Sequence, residues 1–205
     1  MIELYTWGTP NGRKVSVMLE ECGLPYNVHR IDIGKGDQFA PAYLEINPNG
    51  KIPVLQLPDG QLMYESAAMM LFLAETLPAA GMAPAIGSSA RALMLQWLMF
   101  LSAGAYESNL RFFYPDRYGE PVSVKASALK EMDRIYAVLE ADIARKGPFL
   151  CGRKLCAADI YLGMLASWYE PDVTALGERF PGVLAIHDAV AARPAWQRVQ
   201  AAHAS

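Results

Sequence analysis

The chain has 205 residues, 53% apolar and 19% charged, with a formal net charge of −3. That length supports one large domain or two small ones around a substantial core. The mild acidity, and the lack of a Lys/Arg run able to follow a phosphate backbone, argue against nucleic acid as a partner.

Met1–Tyr5 reads as a short buried strand. From Gly12 a helical period takes over, with Val15, Met18, Leu19 and Cys22 on one stripe, until Gly23 and Pro25 end it. Tyr26–Ile33 is a second strand, broken by Gly34-Lys35-Gly36. A β-α-β opening favours a parallel pair with a right-handed crossover. A short helix is expected at Pro41–Glu45, then a turn at Asn47-Pro48-Asn49-Gly50. Ile52–Leu57 and Gln61–Tyr64 flank Pro58-Asp59-Gly60, the clearest hairpin signal, and a helix follows over Ala67–Leu77 with Glu65 or Ser66 placed to cap it.

Ala79–Ser89 has the composition of a linker, and everything beyond it reads as helical. Ala90–Arg111 places Leu93, Trp97, Phe100 and Leu101 on one face. Val122–Lys146 carries a stripe of Leu129, Met132, Tyr136, Leu139 and Ile143. Helices over Ala157–Trp168, Val183–Ala192 and Ala195–Ala202 complete the set. The methionines Met69, Met70, Met94 and Met99 fit core positions, and Asp159 can supply half of a capping box whose cap position is Cys156. The fold class is therefore an α/β domain over residues 1–80 followed by an all-α domain over residues 88–205.

Several chemistries lack their residues. There is no GxSxG, and His29, His187 and His203 have no nucleophile or ligand-spaced partners, so neither a serine hydrolase nor a metal site is expected. Cys22, Cys151 and Cys156 form no CxxC pair and read as small hydrophobes in a reducing, cytoplasmic compartment. No basic or apolar leader opens the sequence, and no apolar run is long enough to span a bilayer. Glu20-Glu21 reads as a solvent-facing pair.

What could build a site lies at the ends of the strands. Thr9-Pro10-Asn11-Gly12 joins a strand to a helix and points free N–H groups and two small polar side chains at one place, which suits an anion. It holds no cysteine, so thiol chemistry there would use a thiol carried by the ligand. Ile52-Pro53 precedes the third strand, and Glu65-Ser66 opens a helix whose N-terminus could take a carboxylate while Glu65 takes an ammonium. Each has a plainer reading: Thr9 and Asn11 as turn or cap residues, Pro53 as a trans strand edge, Glu65 as a solvated acid.

The runs Leu4–Val15, Asp32–Phe39, Asn47–Pro53 and Tyr64-Glu65-Ser66, with Ala158-Asp159-Ile160 in the helical half, resemble glutathione transferases of the bacterial Nu class and the related yeast prion-like nitrogen-regulator branch. The resemblance implies a thioredoxin-like N-terminal domain with Pro53 cis, and glutathione as co-substrate without a metal. It implies that Ile52 holds the cysteinyl backbone, Glu65 and Ser66 the γ-glutamyl end, and Gln38 and Lys51 the region of the glycyl end. Thr9 and Asn11 would face the sulfur and stabilise its thiolate, ahead of Tyr5, which the strand should bury. The implied activity is glutathione-dependent disulfide-bond reduction, with conjugation or peroxide reduction alongside. A non-enzymatic glutathione-binding or regulatory protein, and a glutathione-dependent lyase or dehalogenase, stay open as alternatives. A second substrate (an electrophile, a peroxide or a disulfide) would meet Tyr106, Asn109, Leu110 and Phe113, and a homodimer through Ala90–Arg111 is expected, with no membrane partner.

Overall fold

The computed structural model describes residues 1–169 and 172–204, apart from the side chains of 203 and 204. Its contacts divide into two units, Met1–Met82 with the C-terminal stretch from Ala192, and Ala83–Ala191.

The first unit opens with β1 (Ile2–Thr6), which buries Ile2, Leu4 and Thr6 in strict alternation. The crossover helix α1 (Pro10–Glu21) starts two residues before its apolar stripe requires, because Pro10 brings a helical φ and Thr9 caps it. β2 (Tyr26–Arg30) pairs parallel with β1, from Ile2 opposite Tyr26 to Thr6 opposite Arg30. It stops short of Ile33. The Ile31 N–H makes a last bond to the Thr6 carbonyl, and Asp32 then turns the chain by accepting from the N–H groups of Gly34 and Lys35. α2 (Pro41–Ile46) precedes the antiparallel hairpin of β3 (Val54–Gln56) and β4 (Leu62–Met63), and α3 (Ser66–Thr76) closes the segment. The sheet order β2-β1-β3-β4, with β3 antiparallel to β1, is thioredoxin-like. α1 and α3 pack together through an interior of Val15, Met18, Leu19, Met69, Met70 and Leu73.

The second unit is all helical. α4 (Ser89–Phe100) runs through one π-helical turn, Leu101–Tyr106, into α5 (Glu107–Phe113), so the long helix expected from the sequence is continuous but locally widened. α6 (Pro121–Lys146), α7 (Ala157–Ala166), α8 (Val173–Arg179) and α9 (Pro181–Ala191) complete the unit. All ten residues of α7 are buried, which makes it the centre of the unit. α8 escaped the sequence reading because it is seven residues long with only Leu176 buried; Asp172 caps it by accepting from the N–H groups of Thr174 and Ala175. Two core assignments fail: Met99 is 51% and Leu129 39% exposed, while Met94, Ala128 and Ile135 take the buried positions.

The last helix, α10 (Pro194–Ala204), packs on α1 and so belongs with the first unit, although the sequence reading placed it in the helical half. The helix buries Ala195, Trp196 and Val199, and ion pairs join it to α1. Arg193 holds the Glu21 carboxylate through both Nε and Nη2, and Arg198 holds Glu20 at 2.6 Å. Glu21 is thus not solvent-facing: its side chain is 7% exposed.

Candidate functional site

The turn after β1 is built by a close approach. A Cβ on Gly12 would collide with Thr6 Oγ1 and lie 2.6 Å from the Trp7 carbonyl, so only glycine lets α1 begin hard against the end of β1. Thr9 Oγ1 accepts from the Gly12 N–H at 3.2 Å. That uses an oxygen lone pair and leaves the hydroxyl proton available to a ligand.

Asn11 performs a different task. Its Nδ2 donates to the Ile52 carbonyl at 3.1 Å, and its Oδ1 accepts from Ser66 Oγ at 3.0 Å. A carbonyl can only accept, so the amide orientation follows from Ile52 and obliges Ser66 to be the donor on the other side. One side chain therefore joins the start of α1, the start of α3 and the residue before the cis Ile52–Pro53 bond. With the Ile52 carbonyl engaged, its N–H is the natural group for pairing with an extended ligand.

Beside this bond, Tyr43 Oη and Asn47 Nδ2 both donate to the Lys51 carbonyl at 2.7 Å. Gly50 sits at φ +59°, and a Cβ there would come within 2.9 Å of the Phe39 ring and 3.2 Å of the Gln38 carbonyl. Its absence lets the Gln38 backbone pack against Gly50, the neighbour of Lys51. Gln38 Oε1 is buried without a hydrogen-bond partner among the described residues, an acceptor waiting for a donor.

Glu65 has φ +67°, the left-handed region that a non-glycine residue rarely adopts. Neither it nor Ser66 caps α3 by a side chain, contrary to the sequence expectation. Ser66 lies in the first helical turn and spends its proton on Asn11. The α3 N-terminus keeps its backbone N–H groups for an anion. Lys14, which sequence reasoning passed over, is fully buried in α1. Burial pulls its pKa well below the usual lysine range, and the Glu65 carboxylate opposes that shift. Its only sequence signal is a lysine inside a run of buried α1 positions.

Family models match on both sides of the unit boundary. The glutathione S-transferase N-terminal domain matches residues 9–76 and the glutathione S-transferase C-terminal domain residues 94–194. The chain is 33% identical to the disulfide-bond oxidoreductase YfcG of Escherichia coli K12, over 95% of this chain and 92% of that one. The chain belongs to the glutathione S-transferase family. Among solved structures, the glutathione transferase URE2P6 from Phanerochaete chrysosporium, in complex with oxidized glutathione, is 30% identical with a TM-score of 0.86, covering 99% of this chain and 96% of that one. A glutathione transferase family member from Pseudomonas fluorescens, with two glutathione bound, is 32% identical with a TM-score of 0.79, covering 97% and 91%.

As a glutathione S-transferase, the chain holds Thr9, Asn11, Lys51, Ile52, Pro53, Glu65 and Ser66 in one unit, at the ends of β1, β3 and α3, with Gln38 in the short 3-10 turn Asp37–Phe39 of the same unit. The polar groups suit a peptide-like anion: the opening N–H groups of α3, the Thr9 hydroxyl proton and the buried, unpartnered acceptor at Gln38. Tyr5 is half-buried rather than buried; its hydroxyl donates to Gln56 at 3.3 Å and its ring stacks on His29. In the helical unit Tyr106 and Phe113 both meet Trp168, which the sequence reading did not single out, with the Phe113 and Trp168 rings stacked at 4.9 Å. Asn109 is fully buried and so belongs to the interior of that unit rather than to a wall. Among the described residues no group of three or more His, Cys, Asp or Glu side chains is placed to hold a metal, and no helix is long and apolar enough to cross a membrane. The His203 side chain lies outside the described residues.

Proposed function

We propose that this glutathione S-transferase is a glutathione-dependent disulfide-bond reductase of the Nu-class type. The observation that carries this is the cysteine-free turn: Thr9 with a spare hydroxyl proton at the start of α1, beside the cis Pro53 segment. A hydroxyl donor and a helix N-terminus both favour a thiolate over a thiol. In this reading Thr9 holds the sulfur, and Asn11 keeps one N–H for it while bracing Ile52 and Ser66. The Ile52 N–H pairs with the cysteinyl backbone. The N–H groups opening α3 hold the γ-glutamyl carboxylate and Glu65 its ammonium. Gln38 and Lys51 serve the other end of the tripeptide.

When bound, glutathione supplies the nucleophile, and a disulfide plus two glutathione become two thiols plus glutathione disulfide. The similarity to a disulfide-bond oxidoreductase and to a protein holding two glutathione supports this stoichiometry over simple conjugation. The same reading includes a homodimer formed through α4 and α5. Titrating the thiol of bound glutathione tests it: its pKa should fall about two units below that of a free thiol near 8.5, and disulfide reduction should release glutathione disulfide. An unshifted thiol with intact binding would leave a glutathione-binding protein without this chemistry.

A further inference from the structure

Apart from those residues of the first unit, the helical unit contains two thiols in contact. The Cys156 thiol donates to the Cys151 sulfur at 3.5 Å. A disulfide requires about 2.05 Å between sulfurs, so they must approach by about 1.5 Å to bond. One carboxylate positions both partners: Asp159 Oδ2 accepts from the Cys156 N–H and Oδ1 from the Leu150 N–H, each at 2.8 Å. Leu150 and Cys151 form the tip of a tight turn closed by two Phe149–Gly152 backbone bonds of 3.1 Å. Cys151 is half-exposed and Cys156 buried. Between them Arg153 and Lys154 are both exposed, a local positive charge that favours an anionic disulfide.

We propose that Cys151 and Cys156 form a reversible dithiol–disulfide site that reacts with small anionic disulfides, glutathione disulfide among them. Cys151 attacks as the accessible thiolate. One glutathione leaves and takes the proton Cys151 gave up, and a mixed disulfide remains on Cys151. Cys156 then attacks the Cys151 sulfur, passing its proton to Asp159 and from there to the second departing glutathione. Two protein thiols are oxidised and one glutathione disulfide is reduced to two glutathione. Cys151 is the more accessible sulfur, and the hydrogen bond to it, burial and the Asp159 carboxylate all hold the Cys156 proton, which assigns the first attack to Cys151. Cys22 is the internal control: it is buried, its thiol donates to the Leu73 carbonyl, and its pKa is pushed up to about 11.

The full chain, incubated with glutathione disulfide, acid-quenched, unfolded and alkylated, should lose two of its three alkylatable thiols and two hydrogens in mass while staying monomeric on a non-reducing gel. Cys156→Ser should instead stop at one glutathionyl group on Cys151, and Cys151→Ala should react at neither remaining thiol. Serine is the better helix cap, so Cys156→Ser should fold. Three alkylatable thiols in the oxidised wild type, a stable glutathionyl adduct on it, or linkage only between chains would each overturn the proposal. Because the readout is protein thiol, none of these results depends on turnover at the Thr9 site.

Discussion

Ser66 Oγ donates to Asn11 Oδ1 at 3.0 Å, so the helix that would receive the ligand's carboxylate is tied to the turn that would receive its sulfur. The same Asn11 amide holds the Ile52 carbonyl at 3.1 Å. The Thr9 side chain, by contrast, accepts through its oxygen from the Gly12 N–H. The two turn residues therefore differ in what they hold: Asn11 braces Ile52 and Ser66, while the Thr9 hydroxyl keeps its proton for the donor role proposed above.

Asn11→Ala should break two hydrogen bonds, lowering stability by about 2 kcal/mol and weakening both glutathione binding and turnover. Thr9→Ala should cost about 1 kcal/mol through the lost cap and lower kcat by about tenfold or more with KM little changed, and Thr9→Ser should restore both. Urea denaturation and steady-state disulfide reduction measure these separately. An unchanged kcat in Thr9→Ala would remove its hydroxyl from the chemistry.

Strong local signals are legible in the sequence, although the expected side-chain cap of α3 is absent and the short, Asp172-capped α8 is not visible there. Pro58-Asp59-Gly60 turns where expected, with Gly60 N–H bonded to the Leu57 carbonyl at 2.9 Å, and the α6 stripe from Met132 to Ile143 is buried. The strand-end residues could be named because turn and cap chemistry marks them. Their interactions could not: Asn11 reaches partners 41 and 55 residues away, and Glu21 one 172 residues away. No periodicity encodes such pairings. The adjacent acids Glu20 and Glu21 looked alike in sequence, yet they meet different arginines and different degrees of burial.

The Glu21–Arg193 pair is bidentate and mostly buried at Glu21, whereas Glu20 and Arg198 are 25% and 56% exposed. Glu21→Ala should cost roughly 2 kcal/mol and Glu20→Ala under about 1 kcal/mol. Hydrogen exchange should show the loss of protection concentrated in α10 and the facing turn of α1. Equal effects of the two substitutions would mean that apolar packing, not the buried pair, docks the last helix.

Asp159 supplies a pH dependence of unusual sign. Burial raises its pKa to about 6 from an ordinary 3.8, overcoming the hydrogen bonds from Leu150 and Cys156 that favour the carboxylate. The folded state then binds more protons at this site than the unfolded state between those values. Its contribution is fully present below pH 3.8 and is lost as pH rises through 6, a change of about 3 kcal/mol. Most native carboxylates act in the opposite direction, so the wild type alone would mask the effect. Asp159→Asn removes the titration while keeping the shape, though its amide turns a donor toward one N–H and lowers stability at every pH. The informative quantity is the stability difference between wild type and Asp159→Asn, measured by urea denaturation from pH 3.5 to 7. That difference should narrow steadily as pH rises. A gap that widens instead would show that the two N–H donors outweigh burial and hold the Asp159 carboxyl below its ordinary range.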